Sequence, residues 1–248
     1  MQRFFIKLEN LSGDRISITE KNQIHHIKDV LRLKIKEQVC VVDEKGNEYF
    51  SEIEQLAAEK IVAKVKEVRK ANPNAGIKLT IACAIPKKSK FDDIVDRLTQ
   101  LGVERIIPMI TERVIIKLDK AKSAARQARW KKIALSAAQQ SQRNVLPIVS
   151  EIKKLEEVLA ESGDFDLKLI PALFSRRQAL REVLGKAKPK KVLVLIGPEG
   201  DFSDEEMKMA VKSGFVPVTL GDMVLRVETA AVAVASYFKL FTETGTVP

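Results

Sequence analysis

Residues 192–196, Val-Leu-Val-Leu-Ile, have no polar face. A strand that touches water on one side alternates apolar and polar side chains, so this run predicts a parallel strand covered by helices on both sides. Four further stretches share its character: IKLTIACAI (77–85), ERIIPMI (104–110), DLKLIPAL (166–173) and FVPVTL (215–220). Helical spacing separates them, at 89–101, from 120 to about 143, and at 151–161, 175–185 and 203–213, with a last helix near 228–242. Strands alternating with helices predict an α/β domain.

Before residue 71 the pattern is β-rich. RISIT (15–19), QVCVVD (38–43), EYFSEI (48–53) and KIVAKVKEV (60–68) are short strand candidates, with Asp43-Glu44-Lys45-Gly46-Asn47 as a hairpin turn between two of them. Ile24, Ile27, Val30 and Leu31 recur at helical spacing and predict a helix within 18–34. ANPNAG (71–76) is the linker. The expected organisation is a small β-barrel over 1–72 and an α/β domain over 73–248.

Of a formal net charge of +10, nearly all falls in residues 71–150, which hold 15 Lys/Arg against 6 Asp/Glu. The helix-forming stretch AKSAARQARWKKIALSAAQQ (121–140) places Lys122, Arg126, Arg129 and Lys132 on one side. A solvated helix face accounts for any single charge run; the imbalance of the whole segment favours a nucleic-acid partner. Cys40 and Cys83 lie far apart and exclude a disulfide framework, and the adjacent His25 and His26 give no metal-ligand spacing. Arg3 and Lys7 interrupt the N-terminal run where a secretory signal needs apolar residues, so a cytosolic setting is expected.

The run at 192–196 ends in Gly197-Pro198-Glu199-Gly200, which puts a turn at the carboxyl edge of the sheet, where open α/β sheets bind ligands. Ser203 and Glu206 then form a capping box, with Phe202 stapled against Met207. Asp204, Glu205 and Glu206 make that helix start hostile to phosphate, and no G-x-G occurs anywhere in the chain. As a bare turn GPEG needs no ligand. A second constellation resembles it: a strand ending at Leu220-Gly221-Asp222, then Leu225-Arg226 and a small, apolar helix that must be buried within the fold or against a second subunit. Arg226 and Glu228 precede that helix, and a structural ion pair would explain them equally.

GPEG with its acidic helix start, followed by LGDMVLRVETA (220–230), resembles the RsmE family of the SPOUT superfamily of knotted methyltransferases, whose members methylate uridine N3 in 16S ribosomal RNA. RFF (3–5) and HHIKDVLRLK (25–34) resemble that family's PUA-like barrel, and FDDIVDRLTQLGVERIIPMITER (91–113) and AAQQSQRNVLPIV (137–149) resemble two further motifs. The chain departs from the pattern at Gln100 (glutamate in the family), Gln142 (glycine), Asp201 (a second glycine), Val227 (threonine) and near Lys36-Glu37 (Gly-Asp).

The resemblance implies a trefoil-knotted α/β domain that pairs as a homodimer, an N-terminal RNA-binding barrel, and S-adenosylmethionine as cofactor. Leu173, Gly197, Pro198, Glu199, Gly200, Leu220, Gly221, Leu225 and Thr229 would hold the cofactor. Arg226 would stabilise developing negative charge, and Glu199 or Glu228 would take the proton. Arg3, His25, His26, Arg32, Arg113, Arg126, Arg129, Lys132 and Arg143 are the RNA-binding candidates, and no metal is expected. A non-catalytic RNA-binding protein that keeps the knot, a methyltransferase acting on another nucleotide, and a small-molecule α/β enzyme remain as alternatives.

Overall fold

The computed structural model describes residues 3–71, 76–86, 90–114, 119–172, 177–186 and 189–244. The chain divides into two compact units, Met1–Ala75 with Ala138–Leu146, and Gly76–Ala137 with Pro147–Pro248.

The first unit contains β1 (Arg3–Phe5), β2 (Leu11–Ser12), β3 (Arg15–Ile18), a short helix α1 (Lys21–His25), β4 (Gln38–Val42), β5 (Glu48–Leu56) and β6 (Ile61–Arg69). Its six-stranded sheet runs β1-β4-β5-β6-β3-β2, with β1 parallel to β4 and the other pairs antiparallel. Phe4, Ile16, Ile18, Val39, Val41, Ile53 and Ile61 share one core with Ile24 and Ile27. The hairpin forms where the residues call for it. The Asp43 carboxylate accepts from the backbone N–H of Lys45 (2.8 Å) and Asn47 (2.9 Å) and from the Tyr49 hydroxyl (3.0 Å), and Gly46 takes φ +82°.

The helix expected within 18–34 forms over Lys21–Val30, changing its winding part-way. After α1 the chain widens into a turn over His26–Val30, with Leu31 N–H reaching back to the His26 carbonyl (2.9 Å) and Arg32 at φ +53°. The spacing buries Ile24 and Ile27 and packs Leu31 partly buried on the same core, whereas Val30 is 61% exposed. Two other residues of this unit hold left-handed backbone, Lys36 at φ +75° and Gln142 at φ +57°. Both stand at or beside positions where the resembled family carries glycine.

The second unit contains β7 (Lys78–Ala84), α2 (Lys90–Gln100), β8 (Arg105–Ile110), α3 (Lys120–Gln140), whose last residues group with the first unit, β9 (Ile148–Val149), β10 (Lys153–Lys154) and α4 (Leu155–Ala160). Next come β11 (Leu167–Pro171), β12 (Gln178–Ala179), α5 (Leu180–Lys186), β13 (Lys191–Ile196), α6 (Asp204–Lys212), β14 (Val216–Thr219) and α7 (Val227–Thr244). The sheet order is β10-β8-β7-β13-β11-β14-β12, with β9 also on β8, and every pair is parallel.

β13 lies between β7 and β11, and its side chains divide as the sequence predicts. Val192, Val194 and Ile196 join the core built with α2, α5 and α7; Leu193 and Leu195 join the opposite core built with α4 and α6. In α7, Val227, Ala231, Val234, Ala235 and Phe238 are buried within this unit, whereas Ala233 and Leu240 are exposed. One flank of the apolar helix is therefore covered within the chain itself.

An L side chain in left-handed backbone crowds the following carbonyl, a strain that glycine lacks. Lys36→Gly keeps the hydrogen bond from its N–H to the Ile53 carbonyl (2.8 Å) and should stabilise the protein by about 0.5–1 kcal/mol, read as a higher urea midpoint. Lys36→Val should shift the midpoint the other way.

Candidate active site

Three strands deliver the site to one edge of the sheet. Pro171 and Ala172 at the end of β11, Gly197, Pro198, Glu199 and Asp201 in the turn after β13, and Thr219, Leu220, Gly221 and Leu225 at and after the end of β14 line an open cleft with the start of α7. This is the carboxyl edge of a parallel sheet, where helix connections leave room for a ligand.

The turn after β13 is built around a missing side chain. A Cβ on Gly197 would stand 2.9 Å from the Phe202 ring, which is folded beneath the turn with Met207 in the same core. Asp201 closes the turn at φ +60°, its N–H bonded to the Pro198 carbonyl (3.0 Å) and its carboxylate to the Phe202 N–H (2.9 Å). This is the third left-handed residue at a family glycine position, and aspartate tolerates it because its side chain bonds the next amide. The capping box forms: Ser203 N–H donates to Glu206 (2.9 Å), and Glu206 N–H donates to the Ser203 hydroxyl (3.4 Å). Glu206 is buried and also accepts from the Glu112 N–H (2.8 Å). The neighbouring Arg113, an RNA candidate by sequence, donates to the carbonyls of Gly200 and Phe202. Residues 112 and 113 thus hold the turn from behind.

Of the expected cofactor residues, Gly197, Pro198, Glu199, Leu220, Gly221 and Leu225 line the cleft. Gly221 takes φ +121°, closed by two bonds with the Thr219 hydroxyl (2.9 and 3.1 Å). Gly200 sits against the Arg113 side chain, Thr229 is exposed on the first turn of α7, and Leu173 lies outside the described residues.

Arg226 is exposed just before α7, and Glu228 opens the helix. Lys90 at the start of α2 binds Glu228 at 2.9 Å. Burial alone would push the Glu228 carboxyl up; its own backbone N–H, Lys90 and Arg226 together outweigh this and hold it below the ordinary glutamate range. Cys83, at the end of β7 beside Ile196, is fully buried, and its thiol is pushed up by burial first and then by Glu228 and Glu199. It is an inert thiol whose neighbours show that both carboxylates converge on this edge. The sequence reading missed Lys90. Its signal was a basic run, KKSK, directly after a strand of the same sheet.

The remaining RNA candidates divide by unit. In the first, Arg3 is 15% exposed and donates to Glu48 (2.6 Å), Gln142 (3.0 Å) and Asn144 (3.1 Å). His25 binds Asp29 (2.6 Å), His26 meets the Phe4 ring edge-on, Arg32 is exposed, and Arg143 follows the left-handed Gln142. In the second, Arg129 pairs with Asp92 (2.6 Å), which also accepts from the Trp130 indole (3.0 Å), while Lys132 is exposed and Arg126 half-buried. Among the described residues no group of three or more His, Cys, Asp or Glu could hold a metal ion, and no helix is long and apolar enough to cross a membrane.

A fold and edge of this kind define an RNA-modifying transferase: the model of the RNA methyltransferase domain matches residues 73–239, and that of the RNA methyltransferase PUA domain matches 18–66. Ribosomal RNA small subunit methyltransferase E of Bacillus subtilis is 31% identical over 98% of both chains, and that of Mesomycoplasma hyopneumoniae is 32% identical over 94% of this chain and 96% of its own. The crystal structure of ribosomal RNA small subunit methyltransferase E from Neisseria gonorrhoeae bound to S-adenosyl methionine superposes with a TM-score of 0.84 at 30% identity, covering 97% of this chain and 98% of that one. The chain belongs to the ribosomal RNA small subunit methyltransferase E family.

A carboxyl held low in the native state favours folding above its unfolded pKa, and this contribution disappears as pH falls through the native value. Lys90→Met leaves burial less opposed, so Glu228 should titrate at higher pH than in the wild type by carboxyl ¹³C NMR. The variant should be less stable at neutral pH and show a shallower loss of stability on acidification.

Proposed function

We propose that this protein transfers a methyl group from S-adenosylmethionine to N3 of a uridine in 16S ribosomal RNA of the small subunit. The observation that carries the reading is the cleft at the ends of β11, β13 and β14, with Glu199 on its wall and Arg226 and Glu228 beside it. Gly197, where any side chain would strike Phe202, keeps the wall low, and Leu220 and Leu225 offer apolar surface to an adenosine. Backbone groups of Gly197, Pro198, Glu199, Leu220 and Gly221 on the cleft wall would hold the cofactor, with those of Gly200 and Thr229 at its margin. The cofactor supplies a methyl group activated by its positive sulfur.

The chain's own residues then have to deal with the uridine N3 proton and with the charge that develops on the base. Glu199, exposed on the rim, is the proton acceptor. Glu228, held as an anion by Lys90, orients Arg226. Arg226 directs its fork of donors at a uracil oxygen as negative charge builds there. Arg32, His25, His26 and Arg143 of the first unit contact RNA, with Arg3 bracing the 142–144 loop through its three bonds. Arg126, Arg129 and Lys132 attract the phosphate backbone, and Arg113 acts through the turn it holds.

The same reading takes residues 1–72 as a PUA-like barrel and 73–248 as the knotted SPOUT domain, working in the cytoplasm as a homodimer. The return of the chain from β14 to pack α7 on α2, β7 and β13 supports a knot. The exposed Met223 (79%), Val224 (73%) and Leu240 (62%) are apolar surface that a second copy would cover.

Arg226→Lys should keep cofactor affinity and lower kcat by roughly 10²-fold on small-subunit RNA, the loss expected for one donor acting mainly in the transition state. Wild-type turnover by this variant would overturn the role, and unmethylated N3 in mass spectra of the product RNA would overturn the reaction. Replacing Arg126 and Lys132 by glutamine should weaken RNA binding on every sequence and lower the salt slope by about 1 per lost contact, measured by filter binding across a salt series.

A further inference from the structure

One charge on the cleft wall, that of Arg177, is not used by the mechanism. Among the described residues that line the cleft, Arg177 carries the only cationic side chain, and Glu199 and Asp201 carry the only carboxylates; the others are apolar, small or uncharged. Arg177 immediately precedes β12, which pairs Gln178 with Val218 and Ala179 with Thr219. The backbone ladder therefore fixes Arg177 beside the strand that continues into Leu220 and Gly221 of the cleft.

S-Adenosylmethionine at neutral pH carries two positive groups, the sulfonium and the α-ammonium, and one negative group, the α-carboxylate. Among the described residues that line the cleft, Arg177 alone has the sign that complements the α-carboxylate. Charge complementarity of this sort fixes the orientation of a ligand as well as its affinity. A guanidinium matches a carboxylate with two parallel N–H donors, which neither lysine nor a neutral amide reproduces.

We propose that Arg177 binds the α-carboxylate of S-adenosylmethionine and so sets which end of the cleft receives the amino-acid tail. The inference rests on the cleft being the cofactor site. Arg177 touches no reacting atom; it is a binding residue that places the methyl donor.

The test is calorimetric titration of the wild type, Arg177→Gln and Arg177→Lys with S-adenosylmethionine and with its decarboxylated analogue, which lacks only the proposed partner. Arg177→Gln should bind S-adenosylmethionine about tenfold more weakly, the scale of a partly exposed charge-assisted pair, and the decarboxylated analogue as the wild type does. Arg177→Lys should recover part of the loss. Retained binding of the analogue reports an intact cleft. Equal weakening toward both ligands in Arg177→Lys as well as Arg177→Gln, or no weakening toward either, overturns the assignment. Unchanged cofactor binding with weakened affinity for small-subunit RNA would make Arg177 an RNA contact instead. A wild type that binds neither ligand would remove the cofactor reading itself, and Arg177's role with it.

Discussion

The burial of β13 on both faces is the constraint from which the second unit is built. Five consecutive apolar side chains divide between two cores, and each fully buried residue of this kind contributes about 1.5–3 kcal/mol. A slip of one residue would exchange the two sets and place each in a cavity shaped for the other. The register with β7 and β11 is therefore fixed, and so is the point at which the backbone leaves the sheet, at Gly197.

Precision at that edge depends on polar ties that cross long stretches of sequence. Glu206 serves its own helix cap and the Glu112 amide, Arg113 holds the carbonyls of the turn, and Lys90 joins the start of α2 to the start of α7. A buried carboxylate such as Glu206 is tolerated because backbone donors meet it. Lys90 and Glu228 differ in kind: both remain partly exposed, so their pair does more to place a charge than to stabilise the fold.

Local chemistry made some of this legible in the sequence and hid the rest. The two-faced apolar run, the Asp43 hairpin and the Ser203–Glu206 capping box each depend on residues within a few positions of one another. β1 escaped notice because Arg3–Phe5 is too short for a period and acquires strand geometry only beside β4. The helix expected within 18–34 forms over Lys21–Val30, and Ile24, Ile27 and Leu31 reach the core from it, whereas Val30 faces out. The left-handed backbone at Lys36, Gln142 and Asp201 was hidden behind ordinary side chains, since glycine is the residue that normally announces it. Lys90 and Arg177 could not be singled out because a cation shows its role only when its partner, remote in the chain or absent from it, is known.

The bonds from Arg3 to Gln142 and Asn144 span 139 and 141 positions. On a ribosome the N-terminal strands emerge long before these partners exist, so the first unit has to wait, incompletely assembled, while the chain through α3 is synthesised. Contacts of such separation slow folding, because the loop must close before the contact rewards it. Translation speed through the middle of the message, and the chaperones that meet the nascent chain there, thus bear on how faithfully the N-terminal unit is finished.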